Sequence, residues 1–407
     1  MQKMVSFKEA IELITSSIPA LPAQLVEVHR ALGRVLAEDA RAKVSLPELD
    51  ISFLDGYALK SSSIKPTIRL RVKARIFAGS FEELCIEENE AVWVATGAPI
   101  PEGADAVIGE EKVEEYNGEI ELKETVSSGA NIIKAKQEFT QGDLLLTKGT
   151  RLFSHQLALL VAGGYSEVRV FPAPRIWVIA LGDELSLPAR AKRAEQIYPS
   201  AGWLVAIRCE EMGAELERVL LVEDEPSALL EVFPEPQQAD LVITVGGTGF
   251  GKKDIIAPAL FQMGAEIIFQ GVKIRPCHSL IFSRVDDLFI ISLPGRIPAV
   301  DVGLELFIKP ALLKLQGREP KLRAIKAKIS QEIISPALQA QVIRARIETK
   351  DGELWAHPLR EKSWHKELIL ADGLILIEPE QEQVSAGETV KFIPYDHRLD
   401  EIFTKAF

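Results

Sequence analysis

The chain reads as a multidomain protein of α/β plus β class. It has a central α/β domain with a mainly parallel sheet, β-rich segments ahead of it and a terminal β-barrel or small sandwich behind it. Three observations predict this. A length of 407 residues exceeds one ordinary hydrophobic core and asks for about two to four domains. From Arg175 onward, short apolar runs alternate with helix-like stretches, an order that implies βαβ crossovers and parallel strands. The flanking segments carry short β-type runs cut by glycine and proline turns, the texture of small β domains.

Composition narrows the possible partners. A hydrophobic fraction of 47% with 26% charged residues is that expected of a soluble globular chain. Lys and Arg number 47 against 59 Asp and Glu, giving net charge -12 and a pI near 5.2. This balance argues against broad nucleic-acid or anionic-membrane binding, while a small anion needs only a locally basic pocket. Cys85, Cys209 and Cys277 are too few and too far apart for a disulfide framework or a zinc knuckle. The opening Met-Gln-Lys-Met-Val-Ser lacks a signal-peptide core and no apolar run is long enough to span a bilayer, so cytoplasm is the expected location.

In chain order, Ser6 and Glu9 have capping-box spacing, and Phe7, Ala10, Ile11 and Ile14 recur at helical intervals, predicting a helix to near Ser16. A second helix, carrying His29, is expected around Leu25 to Leu36. In Asp50-Ile-Ser-Phe-Leu-Asp55-Gly, a turn at Asp55-Gly56 gathers two carboxylates and a hydroxyl, a pattern that is usually only structural. Leu70 to Ala74 and Ala91 to Ala95 read as strands, and Thr96 to Ala106, rich in Pro and Gly, as an exposed loop of fixed shape. Ser128 to Asp143 is a turn-rich loop carrying Lys134, Lys136 and Glu138, and His155 to Val161 a helix. The α/β region then runs as strand Ile176–Leu181, helix Trp203–Glu211, strand Val219–Val222, helix Pro226–Val232 and strand Leu241–Val245. Strand-like Leu288–Leu293 and a helix Val300–Leu315 close it. Beyond Pro320, Arg323–Ile329, Ala340–Ile347, Leu368–Ile377 and Glu388–Ile393 read as strands of a terminal barrel or sandwich, and His357, His365 and His397 are too dispersed for a metal site.

The stretch with the most chemical character is Leu241-Val-Ile-Thr-Val-Gly246-Gly-Thr-Gly-Phe-Gly-Lys-Lys-Asp254. A buried strand runs into glycines that can turn several N–H groups toward one anion, and Asp254 opens a short helix whose dipole would add to the same site. Either this is a cradle for a phosphate-like group or it is a tight strand-to-helix connection. It is no P-loop, because Lys253 stands where the magnesium-binding Ser or Thr belongs, and Gly-x-Gly-x-x-Gly is out of register, so triphosphatase and dehydrogenase chemistry are disfavoured. Ligands of open α/β sheets sit beyond strand carboxyl ends, and Gly182-Asp183-Glu184 follows another such end. Its paired carboxylates suit a divalent cation or, equally, a helix cap.

Taken together, Asp55-Gly-Tyr-Ala, Thr96-Gly-Ala-Pro-Ile-Pro-Glu-Gly-Ala-Asp-Ala, Gly182-Asp-Glu-Leu, the Gly246-Gly loop with Asp254, Leu293-Pro-Gly and Ala386-Gly-Glu-Thr-Val resemble, in order and spacing, the MoeA family of molybdopterin molybdenumtransferases, related to the C-terminal domain of gephyrin. The resemblance covers essentially the whole chain. It implies a discontinuous helical/β linker domain over 1–45 plus 140–173, a β-rich domain over 46–139, a MogA-like α/β molybdopterin-binding domain over 174–318 and a C-terminal β-barrel over 319–407. It further implies insertion of molybdate, or tungstate, into adenylylated molybdopterin with release of AMP, aided by Mg2+, in a homodimer that cooperates with a MogA-type adenylyltransferase. Carried over by motif, Asp55, Glu138, Asp183, Glu184 and Asp254 are the catalytic acids, with Glu184 and Asp254 also holding metal. Ser52, Gly246, Gly247, Thr248, Gly249, Gly251, Lys252, Arg275, Pro294 and Gly295 face molybdopterin.

Departures from the family pattern cluster at this site. The family's Gly-Glu-Asp is Lys136-Gln-Glu138, its Tyr-Asp-Ser-Asn is Tyr198-Pro-Ser-Ala201, and its Gly-Gly-Val-Ser-x-Gly is Gly246-Gly-Thr-Gly-Phe-Gly251. Its Lys-Pro-Gly-Lys-Pro is Arg275-Pro-Cys-His-Ser279, and its Leu-Pro-Gly-Asn-Pro is Leu293-Pro-Gly-Arg-Ile297. Arg275 keeps a permanent charge for an oxyanion, and Cys277 is expected to be a buried, inert thiol. The drift leaves a second expectation open, a non-catalytic molybdopterin-binding paralogue or chaperone.

Overall fold

Leu241–Val245 is apolar or β-branched throughout because both of its faces are covered, and in the computed structural model every one of its residues is buried. The structure describes residues 4–63, 69–80, 83–188, 193–249, 255–335, 338–359 and 363–399. These cluster into two units, one within 1–24, 33–37 and 170–407, the other within 25–32 and 38–169.

In the first unit, Leu241–Val245 lies in a 6-stranded sheet whose order is Glu215–Val222, Arg175–Leu181, Leu241–Val245, Leu288–Leu293, Ile281–Val285, Glu266–Gln270. The first four are mutually parallel, as expected. Ile281–Val285, a strand that the sequence reading did not anticipate, turns back antiparallel at Asp286 and leads to Glu266–Gln270. Side chains alternate between two cores with the period of a strand. Ile176 and Val178 pack with Val205, Ala206 and Cys209 of helix Ser200–Glu211, whereas Trp177 and Ile179 pack with Leu229, Ile256 and Ala259 of the helices on the other face.

The closing helix begins earlier than expected, at Ile297, and runs to Leu315 through a π-helical turn at Leu304–Ile308. Its inner face carries Asp301 and Glu305, respectively 5% and 1% exposed. Buried charge must be paired. Glu305 meets Arg208 and, at 3.1 Å, Lys309, while Asp301 accepts a 2.6 Å hydrogen bond from the Tyr395 hydroxyl. The C-terminal strands form a barrel: Ala340–Lys350, Glu353–Pro358, Ile325–Ile329, Thr389–Pro394 and Gly373–Ile377 pair in turn, and Gly373–Ile377 closes back on Ala340–Lys350.

Two expected elements are corrected. Leu25 to Leu36 is not helical: Gln24–Glu27 and Val35–Leu36 are strands around a 3-10 turn, with Gly33 at φ 77°. The β-branched Val26 and Val35 suit strands, and Val35–Leu36 is pinned by pairing with Val170–Phe171. The expected strand Leu368–Ile377 begins only at Gly373, and its first residues, Leu368–Leu370, instead end a helix, Trp364–Leu370. The helix turns Glu367 inward to a buried ion pair with Arg344 at 2.6 Å, a tertiary demand that overrides local apolar pattern.

The second unit is built on a sheet ordered Val113–Tyr116, Glu119–Leu122, Arg69–Ile76, Glu90–Val94, Gly56–Leu59, Ala106–Gly109. The Thr96–Ala106 segment has the expected fixed shape but is not wholly exposed. Ala98 is fully buried, and the backbone of the segment bonds to Asp50, Ser52 and Leu84. Ser6 caps helix Phe7–Ser17 as expected, accepting from Glu9 N at 3.2 Å.

Two outcomes follow from this packing. Phe282 is fully buried between Phe269 and Phe289, so Phe282→Ala costs about 3–5 kcal/mol in urea denaturation. Burial raises the Asp301 carboxyl to about 6 despite the Tyr395 hydrogen bond. Because the folded value lies above the unfolded one, this group's contribution to stability is full below about pH 4 and is lost as pH rises through about 6. Asp301→Asn therefore flattens the fall in stability over that window, read as the difference between the two proteins' denaturation midpoints against pH.

Candidate active site

The parallel register puts Ala180, Val245 and Leu293 on neighbouring strands at one level, so three strand ends release three turns side by side. These are Gly182-Asp183-Glu184, Gly246-Gly247-Thr248-Gly249 and Pro294-Gly295-Arg296, and the sequence expectation named residues in all three.

Backbone approaches backbone here with no room for side chains. Gly246, at φ 105°, donates from N to Leu293 O at 2.9 Å, and a Cβ on it would stand 2.5 Å from Leu181 O. Gly247, at φ 66°, would drive a Cβ to 2.8 Å from Ile255 Cγ1, and its carbonyl accepts from Ile255 N and Ile256 N at 3.3 Å each. A Cβ on Gly295 would lie 3.4 Å from Gly246 Cα. Such turns exist because glycine, lacking a Cβ, adopts the positive φ of Gly246 and Gly247 without strain. Thr248 is buried and bonds through Oγ1 to Ser279 Oγ at 3.1 Å, which anchors the turn. Gly249 is exposed. Gly251, Lys252 and Asp254 lie outside the described residues.

Two cavities open on the glycine turn. One, of about 390 Å³, is lined by Glu184, Tyr198, Ser200, Gly246, Arg296 and Trp364 among others. The second, of about 500 Å³, includes Thr248, Gly249, His278, Pro294, Gly295 and again Arg296. Both carboxylates are exposed, but Glu184 lines the cavity, whereas Asp183 Oδ1 accepts from Asp224 N at 3.0 Å, a loop-holding role. Arg275 faces a neighbouring cavity of about 390 Å³ with His278, Gln339 and Gln341, and its Nε donates to Gln339 Oε1 at 3.0 Å. Cys277 is buried and burial pushes its thiol up, as expected of an inert sulfur. Among the described residues no three His, Cys, Asp or Glu side chains gather as a metal cluster. Glu184 still suits magnesium, which takes one or two carboxylates together with substrate phosphates.

In the second unit, Asp55 Oδ1 accepts from Thr96 N at 2.6 Å and Thr96 Oγ1 at 2.7 Å, bonds that hold its carboxyl below the usual range. Ser52 is fully buried and donates from Oγ to Leu54 O at 2.6 Å, which commits its hydroxyl to the turn. Glu138 is exposed. Asp50, which sequence reasoning did not select, accepts from Lys134 Nζ at 2.7 Å and Ala135 N at 2.8 Å; burial raises its pKa, but these bonds prevail and hold it low. Also missed at the first site were Trp364 and His365, brought there from a distant part of the chain with no local motif to announce them, whereas Ser200 belongs to the Tyr198-Pro-Ser-Ala201 segment that the motif comparison marks.

Three family models match the chain in order: the MoeA N-terminal region (domain I and II) over 5–164, the probable molybdopterin binding domain over 177–314 and the MoeA C-terminal region (domain IV) over 326–395. A molybdopterin molybdenumtransferase of Staphylococcus aureus (strain MSSA476) is 32% identical over 349 residues, 84% of this chain and 83% of the relative. That of Haemophilus influenzae is 28% identical over 408 residues, covering 97% and 100%. A solved molybdopterin biosynthesis MoeA protein from Pyrococcus horikoshii superposes with TM-score 0.85 at 28% identity, over 96% of this chain and 99% of its own. Among the described residues no helix is long and apolar enough to cross a membrane.

One substitution tests the tight turn. Gly246→Ala places a methyl against Leu181 O in a backbone region that disfavours side chains, at a cost of about 1–3 kcal/mol in thermal or urea unfolding.

Proposed function

We propose, from the premise that this chain belongs to the MoeA family, that it inserts molybdate, or tungstate, into adenylylated molybdopterin and releases AMP. The observation that carries this reading is the side-by-side meeting of three strand-end turns, where Gly246 and Gly247 admit no Cβ, Gly295 lies against Gly246 and a cavity of about 390 Å³ opens beside Glu184 and Arg296. A phosphate ester needs close, fixed backbone donors, and the glycine turn supplies the room for them. The metal oxyanion needs cations, for which Arg296, Arg275 and the lysines at 252 and 253 are the candidates.

Magnesium, when bound, neutralises phosphate charge as the phosphoanhydride breaks, and Glu184 with Asp254 would hold it. The chain's own contribution is to seat the phosphate on the Gly246–Gly249 turn, to keep a carboxylate beside it and to fix the pterin end in the cavity. Asp55, held anionic by Thr96, belongs with Glu138 to the surface that a homodimer would lend to its partner, with the buried Ser52 shaping the turn beneath, and a MogA-type adenylyltransferase would supply the adenylylated substrate. The site's departures from the family pattern, Arg296 and the Tyr198-Pro-Ser-Ala201 segment among them, favour one alternative, a paralogue that binds the cofactor without turnover.

The decisive measurement is molybdate-dependent AMP release from adenylylated molybdopterin by the purified protein. Release is expected, with Glu184→Gln and Asp254→Ala each lowering it by on the order of a hundredfold while pterin binding changes by under about threefold. Tight pterin binding with no release would establish the alternative. Equal loss of binding and release in Asp254→Ala would make that residue a support of the loop.

A further inference from the structure

We infer that Trp364, with Arg296 beside it, is a stacking platform for the flat ring of an anionic heteroaromatic substrate; this rests on the reading above, in which that ring is the pterin. Trp364 heads the helix Trp364–Leu370 in the C-terminal region and is 44% exposed. It lines both cavities that share Gly247, Gly295 and Arg296. The Arg296 guanidinium carbon stands 6.0 Å from the indole centroid.

The backbone that carries the ring is held at several points. Arg344 Nη1 donates to Trp364 O at 2.9 Å, and the same guanidinium makes the buried 2.6 Å pair with Glu367 one turn along the helix. From the other side, His365 Nε2 lies 2.9 Å from Ser200 Oγ at the start of helix Ser200–Glu211. A large indole that lines both cavities and is 44% exposed offers a π-face for a planar ring, in the offset-stacked geometry that aromatic pairs prefer. Arg296 adds a cation beside the same ring, suited to an electron-rich, negatively charged ligand. The glycine turn next to it takes the phosphate, so a single molecule with a flat ring and an anionic arm engages both. A bare oxyanion engages only the turn.

The test uses the full chain with two probes, 6-hydroxymethylpterin phosphate, followed by its own fluorescence, and inorganic phosphate, followed by calorimetry. In Trp364→Ala the pterin probe binds about tenfold more weakly, while phosphate affinity changes by less than about twofold. In Trp364→Phe the pterin affinity stays within about threefold, because a ring remains, but the quenching of pterin fluorescence by the indole is lifted. Thermal melts of both variants show whether the fold is intact, and Trp364→Phe keeps the test valid if the alanine variant unfolds. Unchanged pterin affinity in Trp364→Ala, or unchanged quenching in Trp364→Phe, overturns the platform while leaving the phosphate cradle standing. Failure of the unaltered protein to bind either probe overturns the cradle and the platform together.

Discussion

The site depends on one constraint, the in-register parallel pairing of three buried strands. Because Ala180, Val245 and Leu293 lie at one level, the turns that follow crowd together, so that a Cβ on Gly246 would meet Leu181 O and Gly295 stands against the Gly246 backbone. A slip of one residue in any of the three strands would exchange its two buried faces and carry the turn away from its neighbours. The continuous apolar character of Leu241–Val245 sets this geometry as much as the glycines do, since such a strand is stable only when both faces are covered.

Around that sheet, charge is buried in an ordered way. Arg208 reaches Glu305, Glu211 and His397, Lys309 bridges Glu305 and Asp396, and Tyr395 meets Asp301. These contacts tie the helix that begins just after Arg296 to the end of the last barrel strand. Arg344 and Glu367 do the same for the short helix that bears Trp364. Buried pairs are weak sources of net stability but unforgiving of misplacement, since separating the partners leaves a charge without water or counterion. Their effect is to fix where the C-terminal region sits beside the sheet, and so where its aromatic residue meets the cavity.

Much of this was legible in the sequence. Strand Leu241–Val245, helix Pro226–Val232 and the alternation of strands and helices follow from period and punctuation alone, and they appear with those bounds. Motif order carried the family and, through it, the terminal barrel, which the short strands alone left open against a small sandwich. What failed did so for tertiary reasons. Leu25–Leu36 carries apolar residues at spacings a helix tolerates, yet Val35–Leu36 pairs with a partner more than a hundred positions away. The helix Trp364–Leu370, whose last turn overlaps the start of the expected strand, goes unannounced because nothing local reveals that Glu367 must reach Arg344. The same blindness hides Trp364 and His365. They meet the glycine turn only once the chain has folded, whereas Glu184 and the glycines announce themselves by following apolar runs.

The π-helical turn at Leu304–Ile308 has a consequence for how this helix can change. All five of its residues are buried, and a widened turn accommodates one residue more than regular winding would. In a regular helix each added or deleted position rotates everything downstream by about 100°. Here the widening absorbs that rotation, so Asp301 before it and Lys309 after it both face the polar interior. A single-residue deletion inside the stretch would restore even winding and leave Pro310, Ala311 and Leu312 in phase with the core they fill, whereas a deletion in the regular turns on either side would rotate them away from it. The bulge is a phase adjuster: the helix's two ends answer to different neighbours, and this one irregular turn reconciles them.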